Sequence, residues 1–203
     1  IKEITEIIAK TKGLVGLNVT IPYKESIFPF LDKISKNAKK IGAVNCITIS
    51  KNKKLKGYNT DFYGFKKSIK PLLKSYHKKA LILGSGGASR AVAYVLKKLH
   101  IEYQIVCRRA RSKQLGYADL TADLLKEHLL IINTTPLGTS PNINECPDIP
   151  YEHLTDKHLV YDLVYNPAET EFLKRAKQKG ATIKNGLEML HIQAEKAWEL
   201  WNS

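Results

Sequence analysis

A run of apolar residues, 80–83, leads directly into Gly84-Ser85-Gly86-Gly87-Ala88, and a helical pattern over 88–99 starts where the glycines end. Few folds accept a strand that turns into a helix through bare backbone. The turn is tight, the chain can approach a pyrophosphate closely, and the first amides of the helix attract an anion. Gly84, Gly86 and Gly87 make the turn, and Ala91 lets the helix pack closely on the strand. These flanking elements favour a dinucleotide site over a plain structural turn.

The segments around this loop have the same rhythm. Strand patterns over 80–83, 103–107, 129–133, 159–163 and 181–184 alternate with helical patterns over 88–99, 120–126 and 169–179, which implies a parallel sheet covered on both faces. A last helix from Gly186 places Leu187, Leu190, Ala194, Ala197 and Trp201 on one side. The polar, basic stretch 74–79 reads as a linker, and a boundary near 77 divides the chain into residues 1–76 and 77–186. In the front part, Ile4, Ile7 and Ile8 mark an amphipathic helix over 1–10, and 14–21 reads as a buried strand. After Pro22, a helix over 24–33 would gather Ile27, Phe30, Leu31 and Ile34. Strands 43–50 and 54–58 flank the turn Lys51-Asn52-Lys53, and Asp61 opens a helix over 62–73. The fold class is α/β.

Composition removes several alternatives. With 43% hydrophobic and 26% charged residues, the 203-residue chain is of ordinary globular type. Cys46, Cys107 and Cys146 are far apart and form no C-x-x-C pair, which suits a reducing, cytoplasmic setting and argues against a metal site. Apolar runs are far too short to cross a membrane. The net charge of +14 favours anionic partners, yet no helix-turn-helix, RRM or zinc-finger signature accompanies it, so nucleic-acid binding is not expected. The chain opens on Ile1 and its only methionine is Met189, so a preceding segment is expected.

At the end of the second strand of the sheet, an NAD enzyme would carry an acid for the ribose hydroxyls. This chain has Cys107-Arg108-Arg109-Ala110-Arg111, a set of guanidinium groups suited to a 2′-phosphate, so NADP is preferred. For any single arginine, a solvated basic turn is an equally good account. In the front part, Asn18-Val19-Thr20-Ile21-Pro22-Tyr23-Lys24, Gly42-Ala43-Val44-Asn45 and Asn59-Thr60-Asp61 place polar residues where strands end. Lys24, Asn45 and Asp61 could converge there, and a lysine beside a carboxylate can handle a proton. Taken one at a time, they admit plainer roles: Asp61 as a helix cap, Thr20 as a strand-end partner, Lys24 as a surface lysine.

Together with Asn133-Thr134-Thr135-Pro136-Leu137-Gly138, Asp162-Leu163-Val164-Tyr165-Asn166-Pro167 and Asn185-Gly186-Leu187-Glu188-Met189-Leu190 followed by Gln193, these motifs resemble the shikimate dehydrogenase family, in order and spacing along the whole chain. The resemblance implies an NADP-dependent reduction of 3-dehydroshikimate to shikimate, in the pathway to aromatic amino acids. It implies a catalytic domain and a Rossmann-like NADP domain, with the helix 187–203 returning to the former. It assigns Lys24 and Asp61 as the catalytic pair and Thr20, Asn45, Gln193 and Tyr165 to the substrate. Gly84, Ser85, Gly86, Gly87 and Ala88 fall to the pyrophosphate, Arg108 to the 2′-phosphate, with Arg109 and Arg111 beside it, and Thr134 and Gly186 to the rest of the cofactor. A monomer or homodimer is expected. The family's Ser-x-Ser pair has no match here, and the segment from Arg111 to Asp123 is shorter than usual, so either a helix is trimmed or residues are absent from the chain as given. A quinate/shikimate enzyme of broader specificity and an inactive NADP-binding regulator are the alternatives.

Overall fold

The computed structural model describes Ile1 and residues 3–203. It contains two sheets. The first is built from β1 (Gly16–Asn18), β2 (Lys33–Ile34), β3 (Cys46–Ile49) and β4 (Leu55–Tyr58), in the order β1-β3-β4-β2. β3 and β4 form the expected antiparallel hairpin about 51–53, and β2 joins β4 in parallel. Helix α1 (Ile4–Lys10) and α2 (Lys36–Ile41) flank this sheet, whose core is Val19, Ile27, Ala38, Val44, Ile47 and Leu55 with Ile4 and Ile8. The expected first helix also took in Lys2, which lies outside the described residues, and Ile7 on it is exposed.

Two expectations fail in this half. No α-helix spans 24–33: the chain runs in turns from 21 to 27 and then a single 3-10 turn, Phe28–Phe30. Pro29 lacks an amide hydrogen and its ring crowds the preceding turn, so the apolar spacing cannot become a helix. Ile27 is nonetheless buried, as the pattern required. The strand read over 14–21 is confined to β1; the Val19 amide makes one further bond in the same register, to the Asn45 carbonyl at 2.8 Å, before the chain enters the turns at 21–27.

The second sheet has five parallel strands, β5 (Lys79–Leu83), β6 (Glu102–Val106), β7 (Leu130–Asn133), β8 (Leu159–Asp162) and β9 (Thr182–Lys184), in the order β6-β5-β7-β8-β9. Strand side chains alternate, and each face gathers its own core. Leu81, Leu83, Ile131 and Val160 face α5 (Ala122–Glu127) and α6 (Glu171–Gln178) through Leu125, Phe172 and Ala176. On the other face, Ala80, Ile82, Ile132 and Tyr161 meet α3 (Asp61–Ile69), α4 (Gly87–Lys98) and α7 (Leu187–Trp201) through Phe65, Ile69, Val92, Val95 and Met189. Helices therefore cover both faces, as the alternation of patterns implied.

The packing face of α7 differs from the one expected. Met189 and Ala197 are buried, with Gln193 and Trp201 half-buried on the same side, while Leu187 and Ala194 face solvent. The helix has to serve two neighbours. It starts against β8, where the Gly186 amide donates to the Val164 carbonyl, and ends with the Trp201 indole donating to the Ile47 carbonyl of β3 at 3.0 Å.

Candidate active site

The segment after β1 is strapped to the hairpin by backbone bonds. Val44 donates to the Lys24 carbonyl and Val19 donates to the Asn45 carbonyl, both at 2.8 Å. Lys24 thus sits in a turn rather than on a helix, with its side chain lying across the start of α3. There its Nζ donates to Asp61 Oδ2 at 2.6 Å, the two side chains being only 16% and 10% exposed. This is not a surface lysine. Nor is Asp61 the cap of α3, since Asn59 Oδ1 accepts the Phe62 amide in that role, leaving both carboxylate oxygens to side chains. The second oxygen accepts Asn45 Nδ2 at 2.8 Å.

Asn45 is the centre of this cluster. Its Nδ2 also lies 3.0 Å from Thr60 Oγ1 and 3.3 Å from Gln193 Oε1, and its Oδ1 accepts the Thr60 amide at 2.6 Å. Thr60 Oγ1 in turn donates to Gln193 Oε1 at 3.1 Å. Gln193 of α7 thus joins the Asn45–Thr60 cluster beside the Lys24–Asp61 pair. Thr60 carried no expectation from the sequence; its position beside Asp61 at a strand-to-helix junction was the only signal.

A cleft of about 550 Å³ opens in front of the pair, lined by Thr20, Lys24, Asp61, Tyr165, Leu190 and Gln193 on one side and by Ala88, Thr134, Thr135 and Gly186 on the other. The glycine loop forms part of its rim. Gly84 adopts φ +107, and a side chain there would meet Thr134 Oγ1 at 2.7 Å, so this position excludes any other residue. Thr134 is fixed by donating its hydroxyl to the Leu83 carbonyl at 2.7 Å. Gly86 faces open space and no side chain caps α4, which leaves the amides of its first turn free for an anion. A Cβ on Gly87 would come 3.6 Å from Lys24 Cβ, so the glycine loop and the lysine stem are neighbours.

Beneath the same cleft, a polar network joins the ends of β7 and β8. Asn133 Nδ2 donates to Asp162 Oδ1 at 2.9 Å, and Thr170 donates to Asp162 Oδ2 at 2.6 Å. Both residues are fully buried, and burial pushes the Asp162 carboxyl up to about 6. The network holds the loops that carry Thr134 and Tyr165, and single-residue reading missed it because its members lie far apart in sequence.

Arg108, Arg109 and Arg111 lie outside the cleft, exposed on the loop that follows β6. Arg90 and Arg175 hold carboxylates at 2.8 and 2.9 Å, whereas among the described residues these three pair with none. A free cationic group at the end of β6, next to the glycine turn after β5, fits a phosphorylated adenosine ribose. Between β6 and α5 the chain forms only a 3-10 turn, Tyr117–Asp119.

A doubly wound sheet with a pyrophosphate-type turn, facing a buried lysine–carboxylate pair across one cleft, defines a dinucleotide-dependent oxidoreductase. Residues 1–47 match the shikimate dehydrogenase substrate binding domain. The shikimate dehydrogenase (NADP(+)) of Carboxydothermus hydrogenoformans is 44% identical over 92% of this chain and 71% of its own length. Among solved structures, the Aquifex aeolicus shikimate dehydrogenase superposes with a TM-score of 0.85 at 36% identity, covering 99% of this chain and 77% of that one. The Thermus thermophilus shikimate 5-dehydrogenase, solved with NADP(H) and shikimate, has a TM-score of 0.84 at 32% identity, covering 98% and 76%. The chain belongs to the shikimate dehydrogenase family.

Proposed function

We propose that the chain interconverts 3-dehydroshikimate and shikimate with NADP, Lys24 carrying the proton and Asp61 holding it in place. The observation that carries this reading is the 2.6 Å Lys24–Asp61 pair, set in the cleft wall against Gly87 of the cofactor loop. Residues 1–76 with α7 form the substrate-binding part and residues 77–186 the cofactor-binding part.

When bound, NADPH supplies the hydride for the ring ketone. The protein's own residues do the rest. Lys24 gives a proton from Nζ to the oxygen as it becomes an alkoxide, and in the reverse direction takes it back. Asp61 keeps one oxygen on Lys24 and the other on Asn45, so the amine cannot swing away from the cleft. Thr20, Asn45 and Gln193 bind the hydroxyl groups of the substrate, with Tyr165 beside it in the cleft. Gly84, Ser85, Gly86, Gly87 and Ala88 hold the pyrophosphate, Thr134 and Gly186 the rest of the cofactor, and Arg108, with Arg109 and Arg111, takes the 2′-phosphate. The family's biosynthetic role and the free cysteines support a cytoplasmic setting. Among the described residues, no helix is long and apolar enough to cross a membrane.

Steady-state assay of shikimate oxidation tests the assignment. Lys24→Ala lowers turnover by a factor on the order of 10² or more, with NADP binding nearly unchanged. Unchanged turnover with only a raised KM for shikimate would make Lys24 a binding residue and overturn the proton role.

A further inference from the structure

The loop after β6 is built differently from the glycine turn after β5. It turns twice, at 108–109 and 112–113, and comes back onto the strand it left: Leu115 donates to the Ile105 carbonyl and Cys107 donates to the Leu115 carbonyl, both at 2.9 Å. One side chain closes the loop from within. Gln114 is half-buried, and its Oε1 accepts the Arg111 amide at 3.0 Å and the Cys107 thiol at 3.4 Å. Its own amide donates to the Arg111 carbonyl at 2.9 Å.

The rest of the loop carries charge of one sign. Arg108, Arg109, Arg111 and Lys113 are all exposed, and residues 107–115 include no aspartate or glutamate. The nearest acid in sequence, Asp119, is turned to the Gly116 amide at 2.7 Å. Four like charges on so short a loop repel, and an open loop would let them separate. Gln114 opposes this with a neutral acceptor at the loop's centre. An acidic residue could accept the same bonds, but it would cancel part of the positive field. A loop already closed before the ligand arrives loses less conformational freedom on binding.

We propose that Gln114 is a positioning residue for cofactor choice: by closing the 107–115 loop it holds the arginines together for a 2′-phosphate, so preference for NADP over NAD depends on a half-buried side chain that need not touch the cofactor. This rests on the reading above that the loop receives the 2′-phosphate. Any discrimination arises because the held charges act only when that phosphate is present.

Calorimetric titration of the full chain with adenosine 2′,5′-bisphosphate and with AMP separates the two ideas. Gln114→Met keeps the length of the side chain and removes the acceptor. It should weaken the bisphosphate by about 3- to 10-fold and change AMP by less than about twofold, as loss of one or two hydrogen bonds within the loop would. The KM for NADPH should rise by the same factor with kcat unchanged. Cys107→Ala, which removes one donor, should shift the ratio in the same direction by about twofold, and Cys107→Ser should restore it. Equal weakening of both probes, or unchanged bisphosphate affinity in Gln114→Met, overturns the role of Gln114 while leaving the arginine site in place. A wild-type chain that binds the two probes equally overturns the 2′-phosphate reading itself, and the proposal with it.

Discussion

Asn45 has two amide hydrogens, and three oxygens lie within reach of them, so at least one contact is shared. Its carbonyl meanwhile is the acceptor for the buried Thr60 amide. Removing this side chain therefore strands groups on both sides. Asn45→Ala should cost about 1–3 kcal/mol of stability, the ordinary penalty for buried polar groups left without partners. It should also raise the KM for shikimate, since both Asp61 and Gln193 lose a common neighbour. Chemical denaturation and steady-state kinetics on the one variant check both effects. Stability and KM equal to the wild type would show that water replaces the amide and that Asn45 does not organise the site.

At the scale of elements, α3 and α7 approach each other closely beside the site. A Cβ on Gly64 would stand 2.5 Å from the Met189 carbonyl and 3.1 Å from Gln193 Cβ. Backbone cannot step aside as a side-chain tip can, so Gly64→Ala should push α7 outward, destabilise the fold by about 1–3 kcal/mol and raise the KM for shikimate. The Kd of NADP should stay as it was, because the glycine loop does not touch this seam. Parallel loss of both affinities would show that the two helices support the whole molecule. This seam was not legible in the sequence, where Gly64 looks like a weak point in a helix. The sheet of β5 to β9 was legible, because buried parallel strands are continuous apolar runs and the helices between them carry a clear period. The front part was harder. Pro29 breaks a convincing helical spacing, and α2 hides Ala38 and Ile41 among Lys36, Lys39 and Lys40. Lys24 and Asp61 stood out as polar residues at the ends of apolar strands. Thr60, Asn133, Asp162 and Gln114 did not, since their roles come from partners that only the folded chain supplies.

For the molecule as a whole, the response to acid follows from two buried histidines near the foot of the five-stranded sheet. His77 Nδ1 accepts the Lys74 amide at 2.9 Å, and His158 Nδ1 accepts the Thr155 amide at 3.0 Å, so a proton on either nitrogen would face an N–H. Burial is the main cause that holds both rings below the ordinary histidine value of 6.5. Above that value they are neutral in both states and their contribution to stability is complete. As the pH falls past 6.5 the unfolded chain takes protons that the folded chain refuses, and stability is lost until the lowered folded values are reached. Asp162 acts in the opposite sense, taking its proton in the folded state near 6 and in the unfolded state only near 3.8. The loss thus begins as the pH falls past 6.5 and is partly offset around 6, where Asp162 takes its proton. The urea midpoint should fall between pH 7 and pH 6; a flat or rising midpoint would show that the histidines open to solvent and titrate freely. The path of α7 has another consequence, for the order in which the molecule is completed during synthesis. Each strand of the five-stranded sheet has been made by Lys184, but the substrate-binding part, though it leaves the ribosome first, still lacks Gln193 and the Trp201 anchor on Ile47. The half made first is finished last: until the final turn of α7 docks, a nascent chain has every strand of the five-stranded sheet but lacks Gln193 beside Asn45 and Thr60.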